Sequence, residues 1–319
     1  MSHIAIAAYR KTAHARPALA VSVDNGIYDL DAARNAGLKL GEPADDGSLP
    51  ALLAQWCGNA TLERACEEIR QLVASGKLQA VPGGAAALTA PFLPERIFCA
   101  AANYIEHAKE MGSVLAGKSH SKPYMFIKLR NTVIGPGEAI RMPPETSQLD
   151  WEIELAAVIG RGGRRIALDQ ALDHVGGYAI VNDISARDLN VRGDYPFKFD
   201  WFQGKCHDTF APFGPWIVPA SAVADPQTLA MELKVNDQTM QKDSTAHMIW
   251  TVREQIAYLS ECRSGGFAPR TLEPGDVIAT GTPTGVGMAR GMFLKAGDTV
   301  SASIDGIGTL TNPVAAEKL

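Results

Sequence analysis

LDWEIELAAVIG, residues 149–160, is the stretch whose reading decides this chain. A strand period of two sets Glu152 and Glu154 on one face and turns Trp151, Ile153 and Leu155 to the other. Like charges on one face repel, and a strand that runs on into AAVIG is at least half buried, so ionising both carboxylates without a counter-charge is costly. A bound cation would resolve the conflict; a polar edge facing water is the alternative. Asp150 shares their parity, so the pattern leaves it open as a ligand or as a neighbouring group.

The next run outward, VGGYAIVNDISARD (175–188), reads as a buried strand ending at Asp183. Ser185 and Asp188 resemble a capping box, which predicts a helix from that point and places Asp183 at a strand-to-helix junction. Three oxygen donors with no cysteine or nearby histidine suit Mg²⁺ or Mn²⁺, with Ca²⁺ as a further option, better than zinc.

Upstream, NYIEHAKEMG (103–112) sets His107 and Glu110 three apart, neighbours on a helix face. A carboxylate beside an imidazole orients the ring and raises its basicity, as a general base requires, although the same spacing also arises as an incidental surface pair. Lys128 in PYMFIKLRN and Lys205 in FQGKCHD follow apolar or aromatic residues, where an ammonium needs an anionic partner unless it snorkels to the surface. IATGTPTGVG (278–287) is a Gly-Thr-Pro loop after a strand, able to present backbone N–H groups to an anion, and it lacks the GK[ST] ending of a phosphate-binding P-loop.

The rest of the chain supplies the frame. Its 319 residues suffice for one large domain and a smaller one, and 46% hydrophobic with 20% charged residues excludes disorder. Scattered Lys and Arg at a net charge of -5 argue against nucleic acid, and no apolar run reaches the roughly 18 residues of a membrane span. A start without a signal peptide's long apolar stretch predicts a cytoplasmic protein. Five cysteines without a CxxC pair predict free thiols. PALAVSVDNGIYDL (17–30) predicts a β-hairpin turning at Asn25-Gly26. Two helices follow, the second carrying Leu62, Ala65, Cys66, Ile69 and Leu72 on one face. The Gly, Ala and Pro-rich segment 75–94 reads as a long connection, giving a small N-terminal α/β domain over 1–90 and a second domain over 91–319. The latter holds short strand-like runs, RIFCAA, PYMFIK, ELAAVIG, GYAIVND, MELKVND, DVIATG and TVSASID, and is expected to be β-rich.

In this order, the four segments NYIEHAKEMG, DWEIELAAVIG, VNDISARDLN and PGDVIATGTPTGVG resemble the signatures of the fumarylacetoacetate hydrolase superfamily, over about Glu95 to Pro313. The resemblance implies an α+β fold, a mixed multi-sheet roll with a variable N-terminal domain, and a homodimer. It implies Glu152, Glu154 and Asp183 as metal ligands, His107 and Glu110 as a catalytic dyad with Lys205 beside them, and Lys128, Arg187, Asn190 and Thr282 as substrate contacts. The leading function it implies is hydrolysis of a carbon-carbon bond in a 2,4-dioxo acid, with His107 deprotonating the attacking water. Isomerase, decarboxylase and lyase chemistry on related 2-oxo acids such as oxaloacetate or a 2-hydroxymuconate derivative are alternatives, and a non-catalytic metabolite binder is a remote one. Three departures bear on the substrate: Asn190 where some members carry Gln, His207 where an aromatic residue is usual, and AANY where a glycine-containing version is common.

Overall fold

The computed structural model describes residues 4–12, 14–24, 26–39, 48–57, 61–112, 114–194, 196–261 and 270–318. Its frame is a large mixed sheet. In spatial order the strands are Gly26–Asp29, Ala18–Val23, Ile4–Tyr9, Ala211–Pro219, Val175–Asn182, Ile153–Ile159, Val277–Ala279, Ile97–Ala101 and Tyr124–Lys128. A second sheet of five strands runs Gln238–Ser244, Ala230–Val235, Thr299–Ile304, Gly308–Ala316 and Ile140–Met142. This is the mixed multi-sheet α+β architecture expected. No helix among the described residues is long and apolar enough to cross a membrane.

Ile153–Ile159 and Val175–Asn182 pair antiparallel at the centre, and every residue of both is buried. A sheet covered on both faces explains why each reads as an unbroken apolar run. Alternation then divides the packing. Leu155, Ala157 and Ile159 join a core with Leu233, Ala302 and Leu310 of the smaller sheet. Ala156 and Val158 join another with Ile6, Val21 and the helices Leu49–Trp56 and Thr61–Ala74. Glu152 and Glu154 belong to this second row, beyond the end of its apolar part.

The N-terminal hairpin pairs Ala20 with Asp29 through Val23 with Gly26, as predicted; Asn25 of its turn lies outside the described residues. Leu62, Ala65, Cys66 and Ile69 form the buried face of the helix Thr61–Ala74, with Leu72 packed against the same core. The hairpin extends the main sheet, since Ile6 stands opposite Ile217, and Leu88–Thr89 pairs with Ala8 and Tyr9. The boundary expected near Pro91 thus separates segments that share a sheet and a core.

Two features differ from the reading of the sequence. Ala211–Pro219, a central strand, is hidden by Pro212, Pro215 and Pro219, which cannot donate to a ladder; the pairing with Val175–Asn182 shifts register between Tyr178 and Ile180. No helix starts at Ser185. Ser185–Ala186 instead forms a short strand against Leu149–Asp150, because Asp188 accepts from Thr146 and Ser147 across the connection and the Ser185 hydroxyl turns back to the Asp183 carbonyl at 3.0 Å.

Candidate active site

The end of the central strand pair gathers the acidic residues. Glu152 is 4% exposed and Glu154 and Asp183 1% each, and one carboxylate oxygen from each lies within 4.8 Å of the others. The solvated polar edge is therefore not what forms. Asn182 stands opposite Ile153, so Asp183 emerges beside the two glutamates, and its N–H donates to the Glu152 carbonyl at 2.9 Å.

Three cations meet these carboxylates. Lys205, at the end of the short helix Trp201–Lys205, donates to Glu152 at 2.8 Å and to Asp183 at 2.5 Å. Lys128 donates to the other oxygen of Asp183 at 2.5 Å and to the Ile184 carbonyl at 3.0 Å, which places it behind Asp183 and away from the pocket wall. Arg187 forks between Glu152 at 2.6 Å and Asp150 at 2.8 Å. Asp150 also accepts from the N–H groups of Trp151, Gly287 and Met288, so its oxygens are fully engaged and it orients Arg187. Among the described residues, Glu154 accepts a hydrogen bond only from the Gly281 N–H, at 2.7 Å.

The electrostatics follow from this inequality. Burial tends to raise the Glu152 carboxyl, but Lys205, Arg187 and His107 outweigh it and hold the group well below the ordinary range. Burial, Asp183 and Glu152 together push Glu154 far up. Burial opposes charge on Lys205, yet Asp183 and Glu152 keep it protonated well past the usual ammonium range. Four carboxyl groups thus face three cations, and Glu154 is the one left without a cationic partner among the described residues, which favours its protonated form until a counter-charge is supplied. An all-oxygen, buried cluster with one ligand left under-compensated fits a divalent cation.

His107 and Glu110 sit on the helix Ile105–Glu110, whose start is fixed by Asn103: its amide donates to the Thr280 and Trp250 carbonyls at 2.7 and 2.9 Å. His107 Nδ1 lies 2.9 Å from Glu110, and Glu110 accepts from the Thr284 hydroxyl at 2.7 Å and from the Gly285 N–H. Burial works to raise Glu110, but these bonds prevail and hold it below its usual range.

A cavity of about 390 Å³ brings His107, the three carboxylates, Arg187, Asn190, Lys205 and Thr282 together. Its outer wall is Met111, Phe126, Val191, Phe199, Trp201 and Met288, which no single sequence motif announced. Trp201 is braced by Phe126 at 5.0 Å and Tyr124 at 5.1 Å between ring centroids, and it stacks with Phe199, itself 64% exposed. Asn190 is buried with its Oδ1 lacking a hydrogen-bond partner among the described residues, packed so closely on Gly204 that a Cβ there would fall 1.7 Å from it. His207 lies off the cavity wall, bonded to the Gln203 carbonyl at 2.7 Å. The Thr282 hydroxyl turns inward to the Ile153 carbonyl at 2.9 Å. Gln241, which the sequence reading passed over, meets Thr282 and Ile153; a polar residue beside Met240 in a strand was its one signal.

Comparison with known proteins gives the family. The chain is 35% identical over 285 residues to a mitochondrial oxaloacetate tautomerase of Homo sapiens, covering 88% of this chain and 85% of that protein. A fumarylacetoacetate hydrolase from Exiguobacterium antarcticum superposes with a TM-score of 0.76 at 32% identity, over 98% of this chain and all of that one. A fumarylpyruvate hydrolase from Pseudomonas aeruginosa, solved with Mn²⁺ and pyruvate, gives 0.62 at 35% identity over 72% of this chain and 91% of that one. The fumarylacetoacetate (FAA) hydrolase C-terminal family matches residues 96–315. The chain is a member of the fumarylacetoacetate hydrolase family.

Proposed function

We propose that this enzyme interconverts the enol and keto forms of a small 2-oxo acid of the oxaloacetate kind, in place of the carbon-carbon hydrolysis that the motifs first suggested. The observation that carries the reading is the position of His107: one ring nitrogen is held by Glu110, and the ring lies in the same cavity as the acidic cluster. The likeness to an oxaloacetate tautomerase over nearly the whole chain supports it.

Glu152, Glu154 and Asp183 would hold the divalent cation, Mg²⁺ or Mn²⁺, which when bound supplies Lewis-acid stabilisation of negative charge on the substrate's oxygens. With Nδ1 engaged by Glu110, Nε2 of His107 is left to carry a proton between the carbon beside the keto group and the enol oxygen. Glu110 fixes the ring's orientation and stabilises its protonated form, and is itself kept ionised by Thr284 and Gly285. Lys205 and Arg187 offset carboxylate and enolate charge, and Asn190 and Thr282 line the substrate's path. The net reaction moves one proton between oxygen and carbon and breaks no carbon-carbon bond.

The same dyad could instead deprotonate water, and the likeness to the fumarylpyruvate hydrolase favours that second reading. The test is to follow the decay of enol-oxaloacetate with Mg²⁺, Mn²⁺ or EDTA, and in parallel to incubate acylpyruvates and identify products by mass. Metal-dependent acceleration of ketonisation without fragments supports the tautomerase. Cleaved acylpyruvate with ketonisation no faster than in buffer would establish the hydrolase.

A further inference from the structure

The Val277–Ala279 strand stops one step short of the acidic pair. It stands opposite Ala156–Val158, and Thr280 still serves the Leu155 carbonyl, through its N–H at 3.1 Å and its hydroxyl at 2.8 Å. Beyond it the backbone of Ile153, which lies between Glu152 and Glu154, has no strand on that side among the described residues. Both its polar groups are buried and would be costly to leave unpaired.

Two side chains replace the missing strand. Gln241 Oε1 accepts the Ile153 N–H at 3.0 Å, and the Thr282 hydroxyl donates to the Ile153 carbonyl at 2.9 Å. The two are linked, because Gln241 Nε2 donates to Thr282 Oγ1 at 2.8 Å and to the Pro283 carbonyl at 2.8 Å. Gln241 is 1% exposed, so bulk water does not reach these bonds. One residue further on, Gly281 N–H reaches Glu154. The amide therefore locks the peptide between two carboxylates to the loop that forms the cavity wall.

We infer that Gln241 is a positioning residue for the metal-binding carboxylates and for Thr282, acting through the Ile153 backbone. This rests on the reading of Glu152, Glu154 and Asp183 as metal ligands. Groups that orient ligands from outside typically change metal affinity about 10- to 100-fold when removed.

The experiment is Mn²⁺ titration by calorimetry on wild type and on Gln241→Leu, Gln241→Glu and Thr282→Val, with the Mn²⁺ electron paramagnetic resonance spectrum and the melting temperature of each metal-free protein. Gln241→Leu removes all three bonds; Gln241→Glu keeps the acceptor for Ile153 but sets oxygen against oxygen at Thr282 and Pro283. Both should weaken Mn²⁺ about 10-fold or more and alter the spectrum, and the Leu effect should be non-additive with Thr282→Val. Thr282→Val alone, which loses the Ile153 carbonyl bond and the acceptor for Gln241 Nε2 but leaves Gln241 on the Ile153 N–H and the Pro283 carbonyl, keeps the inference testable should the Gln241 variants fail to fold, and is expected to weaken Mn²⁺ several-fold. A lowered melting temperature with unchanged Mn²⁺ affinity and spectrum would overturn the role of Gln241 while leaving the metal reading intact. If wild type itself binds no Mn²⁺, both fall.

Discussion

The hydroxyl of Thr284 donates to the carboxylate of Glu110 at 2.7 Å, joining residues 174 positions apart. It ties the Gly-Thr-Pro loop to the group that orients His107. Thr284→Val should therefore lower turnover about tenfold, less than Glu110→Gln, because the Gly285 N–H remains on the carboxylate. Steady-state rates of the two variants side by side check the order; equal wild-type rates for Thr284→Val would dissolve the link.

Replacing His107 with Ala should reduce turnover by roughly 10²- to 10⁴-fold, the usual worth of a positioned acid-base group. Metal affinity should stay nearly as in wild type, since no carboxylate of the cluster hydrogen-bonds to the ring among the described contacts. Loss of metal alongside loss of activity would remove His107 from the proton-transfer role.

Lys128 is buried against Asp183. Lys128→Met leaves that carboxylate without one of its two ammonium partners, and breaking a buried pair typically costs about 3–5 kcal/mol. Chemical denaturation of the metal-free variant should show a loss of that order, partly recovered when a divalent cation is added. No change in midpoint would mean that Lys205 alone compensates Asp183.

Acid stability offers a separate test, far from the cavity. Burial tends to raise Asp29, but the Tyr9 hydroxyl at 2.5 Å, the Ala32 N–H at 2.6 Å and Lys11 together hold it below its usual value. A depressed carboxyl binds fewer protons folded than unfolded, so its contribution is full above the unfolded value of about 4 and is lost as pH falls through the folded value. Asp29→Asn should lower stability at neutral pH and flatten the fall below about pH 4. Urea melts across that range check it. They also show whether residues 1–90 unfold as the separate domain proposed from the sequence, which would give a transition of its own, or with the shared sheet.

Trp201 tests the outer wall. Trp201→Ala should weaken binding of 2-oxo acids with apolar tails about tenfold or more through lost apolar contact, and that of oxaloacetate much less. Equal losses for both, measured by direct titration, would mean that the ring supports Lys205 and does not touch substrate.

The acidic cluster was legible because strand alternation converts spacing into facing: two glutamates two apart must share a side, and the apolar run beside them required burial. The long-range partners of Asp183 and Glu110 were not, since the loop that reaches Glu110 lies more than 170 residues away. Ser185 misled because a capping-box pattern is local, while Asp188 answers to Thr146 and Ser147, which are not. The Ala211–Pro219 strand was masked by prolines that pattern reading takes as breaks. Gln241 is marked only as a polar residue in a strand, and the aromatic wall carries no chemical flag, so only tertiary pairing shows what they touch.

The Gly-Thr-Pro loop is pinned along its length, by Gly281 to Glu154, Thr282 to Ile153, Thr284 and Gly285 to Glu110, Trp151 to the Gly285 carbonyl, and Gly287 to Asp150. So many anchors make it a threshold and not a door. Traffic of substrate and product is left to the part of the cavity wall outside that loop, where Phe199 and Val191 stand open to solvent, and any rhythm of opening and closing that governs turnover belongs there.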